Sequence, residues 1–153
     1  MHFSASQDVA APIDAVWACL TDPDWLEARV GARVADLTQV PAGPIAAGTV
    51  WTGQASIAGR THSAEVRVTS MEAPRRMVLE GRTGGLRADL VAELRVLSPV
   101  ATRLTLTTDV SANTLSAKLM LKTAGLAQGS LSEGYDARIA RLGEEIARDS
   151  VTS

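Results

Sequence analysis

The sequence predicts an α+β domain: a curved antiparallel sheet of about seven strands wrapped on a long C-terminal helix, with two short helices after the first strand. Three observations predict it. A short alternating segment at the start runs into residues at helical spacing, residues 34–110 alternate with a period of two, and an amphipathic stretch closes the chain. Side chains share a face every two residues on a strand and every 3.6 residues on a helix. The order of the two periods therefore gives the order of the elements.

The first strand and the two short helices fall within the first thirty residues. Apolar and polar residues alternate over 3–9, as on a half-buried strand. Pro12 suits the first turn of a helix, because its missing N–H has no partner to lose there. We expect Thr21 or Asp22 to cap a second helix and Gly31 to end it.

Six further strands are predicted in the middle of the chain, each bounded by glycine, proline or polar turn residues. Their predicted ranges are 34–40, 49–57, 62–69, 76–82, 86–96 and 102–110. The segment Ala58-Gly59-Arg60 is predicted to form a hairpin turn, and Ser98-Pro99 interrupts the longest alternation. Because each strand has one apolar face, the sheet must bury that face against the closing helix.

The closing helix is predicted to follow a cap region at residues 111–113 and to run to about residue 146, with Leu115, Leu119 and Leu126 in its apolar stripe. Gly125, Gly129 and Gly134 weaken its middle, since each interior glycine costs about 1 kcal/mol relative to alanine. We expect a kink or a frayed turn at residues 129–134.

Length and composition place the chain among ordinary globular proteins. At 153 residues, 46% hydrophobic and 21% charged, it suits one domain spanning residues 1–150. No apolar run approaches the ~18 residues of a membrane span, so stable membrane insertion is not expected. Residues 1–8 lack the basic and apolar parts of a secretory signal, which predicts a cytoplasmic protein. Cys19 is predicted to be a small core residue.

Charge and aromatic content argue against nucleic acid as a partner. The net charge is −2, and the basic residues are dispersed rather than gathered in one patch. Aromatic residues make up only 3% of the chain, so no stacking surface for single strands is expected. A homodimer is compatible with the sequence.

A family resemblance rests mainly on the early strand, helix and loop. The motifs are Val9-Ala10-Ala11-Pro12, Ala15-Val16-Trp17 and Leu20-Thr21-Asp22-Pro23, together with a C-terminal helix after the last strand. This arrangement resembles the START-like, polyketide cyclase-related superfamily over nearly the whole chain. The resemblance implies a helix-grip fold with a cavity for an apolar ligand. It also implies a family composed mostly of binding proteins, with a minority of cyclases and other enzymes.

Small residues on the predicted inner face favour a cavity between the sheet and the C-terminal helix, since they leave side-chain volume sparse. The alternative is that these residues let the helix pack closer. The ligand is predicted to be a hydrophobic small molecule, either lipid-like or polycyclic and aromatic. The predicted ligand-binding residues are Trp51, Ala55, His62, Val66, Met77, Leu79, Leu90, Leu119, Met120, Thr123 and Leu126.

No catalytic motif and no metal-ligating cluster is found in the sequence, so we predict no catalytic residue, cofactor or metal. A binding protein is therefore the first hypothesis. An enzyme of the cyclase or dehydratase type is the second, with His62 as its acid or base. An adaptor for other proteins with a filled core is the third. Tyr135 is predicted to pack between the helix and the sheet.

Overall fold

The computed structural model describes residues 1–30, 34–57 and 59–152, and within these ranges it contains seven strands and four helices. In chain order they are β1 (His2–Val9), α1 (Ile13–Leu20), α2 (Pro23–Val30), β2 (Val34–Val40), β3 (Val50–Ile57), β4 (Arg60–Glu72), β5 (Arg76–Thr83), β6 (Leu86–Ser98), β7 (Ala101–Ala112), α3 (Leu115–Gly125) and α4 (Gln128–Thr152).

The strands form one antiparallel sheet in the order β1-β7-β6-β5-β4-β3-β2. Consecutive strands from β2 to β7 are joined as neighbours, and β1 adds to the outer side of β7. The α+β class, the strand number and the pair of short helices are confirmed. The predicted helix end at Gly31 and the turn residue Ala58 lie outside the described residues.

The helical pair begins close to its prediction, although α1 starts one residue after Pro12 rather than at it. Pro12 stands immediately before α1 in extended conformation. The Asp22 carboxylate accepts the backbone N–H of Asp24 at 3.0 Å, which satisfies one of the free donors in the first turn of α2. The prediction of a cap at Asp22 is thereby confirmed, and the two helices are joined by a short, fixed turn.

The closing helix differs from its prediction in its start and in its break. The hydroxyl of Thr114, just past the expected cap region, accepts the N–H of Ala117 at 3.2 Å. The interruption falls at Leu126 and Ala127 rather than at residues 129–134, so α3 and α4 are separate helices. The N–H groups of Leu126 and Ala127 bond to carbonyls three residues back, at 3.2 and 2.9 Å, and this tight turn ends α3 next to Gly125.

The main core lies where α4 packs on β1 and α1. Its buried residues are Val9, Ala11, Val16, Leu20, Leu94, Leu104 and Ile146. The buried Thr102 hydroxyl donates to the Ala11 carbonyl at 2.8 Å and ties β7 to the start of the helical pair. Gly143 lies against Gln7, and a β-carbon there would lie 3.4 Å from Gln7 Cβ and 3.5 Å from Val9 Cγ2. The helix therefore approaches β1 closely.

Candidate functional site

An apolar cavity of about 100 Å³ lies between α2 and the inner face of strands β2 to β5. Its lining residues are Leu26, Glu27, Val30, Val34, Leu37, Trp51, Thr52, Gly53, Ala64, Val66, Met77 and Leu79. Only Glu27 among them carries a charge, and its side chain is exposed. The cavity is thus a site for nonpolar atoms. In the described part of the chain, none of its lining residues belongs to α3 or α4.

Strand β2 forms the outer wall of the cavity because it folds over β3. Asp36 has a left-handed backbone, φ 56°, and the β2–β3 register shifts between Ala35 and Thr38. This irregularity brings β2 over Gly53, where a β-carbon would collide with Val34 Cγ1 and lie 2.9 Å from the Ala35 carbonyl oxygen. A glycine is therefore required at position 53 for this wall to form.

The roof of the cavity, α2, is fixed to α4 by Arg29. Its Nε donates to Glu145 Oε2 at 2.9 Å and its Nη2 donates to Asp149 Oδ2 at 2.9 Å. The guanidinium also lies 3.5 Å from the centre of the Trp25 ring, which is a cation–π contact. Trp25 Nε1 donates to the same Asp149 oxygen at 2.8 Å. These groups hold α2 in place over the sheet.

The Asp149 carboxylate is stabilised in its charged form by this arrangement. The hydrogen bond from Trp25 lowers the pKa of Asp149 below its ordinary value of about 3.8, and the charges of Arg148 and Arg29 act in the same direction. Cys19 lies in the same neighbourhood, and desolvation, followed by the charge of Asp149, raises the pKa of its thiol. The cysteine is thus kept protonated and packs at the edge of the main core.

Four of the residues predicted to bind ligand meet in the cavity: Trp51, Val66, Met77 and Leu79. Trp51 and Leu79 also pack against the small buried cluster of Ile45, Val68 and Met77. Adjacent strands bring them together, since Trp51 pairs with Val66 and Val68 pairs with Leu79 across the sheet. The alternation of these strands was enough to place them on one face.

Three more predicted residues lie on the sheet but outside this lining. Ala55 and His62 are paired across β3 and β4, and the imidazole packs against Gly84, where a β-carbon would lie 3.2 Å from the ring. Within the described residues, His62 makes no hydrogen bond to a carboxylate. Leu90 lies half-buried on β6 between Leu79 and Thr108. Their role in ligand binding stays a prediction.

The three predicted residues of α3, together with Leu126 just after its end, are separated from the cavity. Leu119 and Leu126 lie on the solvent side of the helix, and Met120 is half-buried. Thr123 donates its hydroxyl to the Leu119 carbonyl at 3.0 Å, so it is engaged within its own helix. The expectation that Leu115, Leu119 and Leu126 form a buried stripe is wrong, because α3 packs through the buried Ala117 instead. Their binding role also stays a prediction.

Eight lining residues were missed by the sequence reasoning, and four of them contribute large apolar side chains: Leu26, Val30, Val34 and Leu37. Leu26 and Val30 are four apart and share a face of α2. Val34 and Leu37 are three apart on a strand, and only the irregularity at Asp36 puts both on the cavity side. The helical spacing of the first pair was a usable signal, whereas the second pair has no signature in a regular strand.

Tyr135 makes a polar contact at the inner face of the sheet, away from the cavity. Its hydroxyl lies 3.1 Å from Thr108 Oγ1, and its ring stacks on Phe3 with 5.3 Å between centroids. Burial raises the pKa of the Tyr135 phenol above its ordinary value, and the hydrogen bond with Thr108 opposes this only in part. The phenol therefore stays neutral and anchors α4 to β7 and β1.

In the described part of the chain, no three His, Cys, Asp or Glu side chains lie close enough to bind one metal ion together. The lining of the cavity offers mainly apolar surface and dispersion contacts.

The chain resembles known proteins in sequence and in structure. The model of a protein family described as polyketide cyclase/dehydrase and lipid transport matches residues 1–146. No curated protein matches the sequence. The protein TTHA0849 of Thermus thermophilus is similar in structure with a TM-score of 0.67 and 19% identity, over 98% of this chain and 99% of that one.

Two enzymes are also similar in structure. The ZhuI aromatase/cyclase of Streptomyces sp. R1128 has a TM-score of 0.65 and 17% identity, over 94% of this chain and 93% of its own. Norcoclaurine synthase of Thalictrum flavum, in complex with dopamine and hydroxybenzaldehyde, has a TM-score of 0.64 and 14% identity, over 95% of this chain and 87% of its own. At these identities the likeness is one of fold.

Proposed function

This chain belongs to the polyketide cyclase/dehydrase and lipid transport family, and we therefore propose that it binds a hydrophobic small molecule in the cavity under α2. The observation that carries the proposal is the lining itself. Leucine, valine, methionine and tryptophan side chains from α2 and four strands surround one space, with the indole of Trp51 among them. Apolar pockets bordered by few polar groups are the usual form of small-molecule sites.

The size of the cavity restricts the part of the ligand that it encloses. An engineered cavity of ~150 Å³ lined by apolar side chains takes up benzene. A space of about 100 Å³ therefore suits one small ring or a short branched alkyl segment. Burial of such a segment gains roughly 25 cal/mol for each Å² of apolar surface removed from water. The remainder of a larger ligand would extend past Glu27 and Thr52.

Filling the cavity tests the proposal. Ala64 lines it, so Ala64→Leu adds three carbons to the enclosed space. The matched control is Ser56→Leu, which adds a leucine at an exposed position on β3. Fluorescence titration with 1-anilinonaphthalene-8-sulfonate, an anionic probe whose phenyl ring is one small ring, should show binding to the wild type and the control and at least tenfold weaker binding to Ala64→Leu. Circular dichroism of each variant checks that the fold is kept.

Native mass spectrometry tests the same proposal without a chosen probe. A mass excess on the freshly purified wild type that disappears on denaturation, and that Ala64→Leu lacks, is the expected result. Equal probe affinity of folded Ala64→Leu and wild type would refute binding in this cavity. A His62→Ala variant with unchanged affinity would place His62 outside the binding site.

A further inference from the structure

The solvent side of α3 carries leucines that the fold does not use. Leu115 is 77% exposed, Leu119 is 58% exposed, and Leu126, at the end of the helix, is 90% exposed. Isolated exposed leucines are common, but several of them along one side of a helix indicate an interaction surface for another apolar partner.

Helical geometry shows that these leucines form one stripe. At about 100° per residue, Leu115, Leu119 and Leu126 fall within about 40° of each other around the helix axis. Ala117, which is buried against the body of the protein, falls on the opposite side. The helix thus exposes leucines on its outer side, while Ala117 is buried and Met120 and Leu121 are half-buried.

The charges beside the stripe are all of one sign. Lys118 and Lys122 are the only lysines of the chain, in which every other basic side chain apart from histidine is arginine. No acidic residue occurs in residues 110–132, although the whole chain has a net charge of −2. The nearest acidic residues in sequence are Asp109, which contacts His2, and Glu133 on α4. The outer side of α3 is therefore a positive, leucine-bearing patch on an acidic protein.

We propose that this patch docks the protein on an anionic lipid bilayer. Leucine side chains enter the boundary between headgroups and acyl chains, and lysines at the edge of the stripe extend their long stems toward the phosphates. No helix in the part of the chain that the structure describes is long and apolar enough to span a bilayer. A second copy of this chain is a poorer occupant, because pairing two such stripes brings the four lysines together.

Vesicle flotation tests the docking surface. The protein is mixed with vesicles of phosphatidylcholine alone or with added phosphatidylglycerol, at low and at high salt. We expect binding that requires phosphatidylglycerol and that weakens with salt. Lys118→Gln combined with Lys122→Gln should lower the partition coefficient roughly thirtyfold, from about 1 kcal/mol per lysine and about 1.4 kcal/mol per factor of ten.

Matched controls separate the patch from net charge and from general hydrophobicity. Arg60→Gln combined with Arg75→Gln removes two exposed positive charges elsewhere and should leave most of the binding intact. Leu115→Ser combined with Leu119→Ser should abolish flotation, whereas Val100→Ser, at a 69% exposed valine, should not. Ala64→Leu should float like the wild type, because docking does not depend on the ligand cavity.

Acetylation of lysine amines maps the contact directly. Anionic vesicles should slow the acetylation of Lys118 and Lys122, read by peptide mass spectrometry. The proposal is overturned if the wild type fails to float with anionic vesicles, or if the arginine control loses as much binding as the lysine pair. It is also overturned if sedimentation shows a dimer that Leu115→Ser with Leu119→Ser dissociates while flotation is unchanged.

Discussion

The two halves of the inner sheet face are covered by helices of very different length. Over β1, β7 and the adjoining part of β6, the 25-residue α4 and α1 close a core in which Val16, Leu104 and Ile146 are fully buried. Over β2 to β5 the eight-residue α2 covers a smaller buried cluster and a cavity. The comparison teaches that the tightly packed core and the apolar cavity lie at opposite ends of one sheet.

The largest expected effect comes from the half of the sheet that α4 and α1 cover. Leu104→Ala should lower the free energy of unfolding by about 2–5 kcal/mol, since it removes a fully buried side chain and leaves a cavity. Leu79→Ala, in the half that α2 covers, should lower the free energy of unfolding by only about 1 kcal/mol. That side chain is only partly buried, and its space adjoins a cavity. Urea unfolding measures both. Equal costs would refute the division of the sheet.

The next effect concerns Arg29, which connects α2 over one half of the sheet to α4 over the other. Arg29→Gln should lower the free energy of unfolding by about 1–2 kcal/mol, because it removes two charge-assisted hydrogen bonds at a side chain that is about a quarter exposed. The variant should also weaken probe binding, since α2 loses its attachment to α4. Thermal unfolding and the probe titration check it, with Arg138→Gln, exposed on α4, as the control.

Tyr135 lies in the half of the sheet that α4 covers and should have a smaller effect. Tyr135→Phe removes its hydrogen bond with Thr108 but keeps the ring on Phe3, for a cost of about 1 kcal/mol. Because burial raises the folded pKa of Tyr135 above its ordinary value of about 10, its contribution is complete below that pH. It is lost as the pH rises through the folded pKa. Unfolding curves at neutral and alkaline pH compare the two proteins, and an identical alkaline loss would contradict the assignment.

Asp149 should give the smallest effect, and only in acid. Its folded pKa is lowered, so its stabilising contribution is present above the ordinary carboxyl value of about 3.8. That contribution is lost as the pH falls below that value through the folded pKa. Asp149→Asn should therefore be less stable than the wild type at neutral pH, and the gap should narrow in acid. Denaturation midpoints along a pH series measure it. A gap that stays constant with pH would rule out this role.

The sequence predicted the fold well because regular alternation dominates it. Seven strands, the helical pair and the cap at Asp22 follow from local periodicity and turn chemistry, and the family resemblance read from residues 9–23 is confirmed by the match over residues 1–146. Trp51, Val66, Met77 and Leu79 meet in a cavity because each sits on the apolar face of its strand. These are short-range patterns.

The remainder depends on contacts that local periodicity does not contain. The spacing of leucines on α3 shows that the helix is amphipathic, but not that it packs through Ala117 and leaves the leucines outside. The cavity was expected under the C-terminal helix and lies under α2, because α4 settles on β1 and α1. Val34 and Leu37 reach it only through the irregularity at Asp36.

Gly53 has a consequence for how this protein tolerates sequence change. A side chain there meets the backbone of β2 as well as Val34, so no rotamer of a neighbour relieves the overlap. At Gly134 on α4, a β-carbon would have no atom within 4 Å, so this position accepts alanine freely. Under mutational drift, position 53 should stay fixed while position 134 varies. The wall that β2 forms beside the cavity thus rests on a backbone contact that drift among surrounding side chains leaves intact.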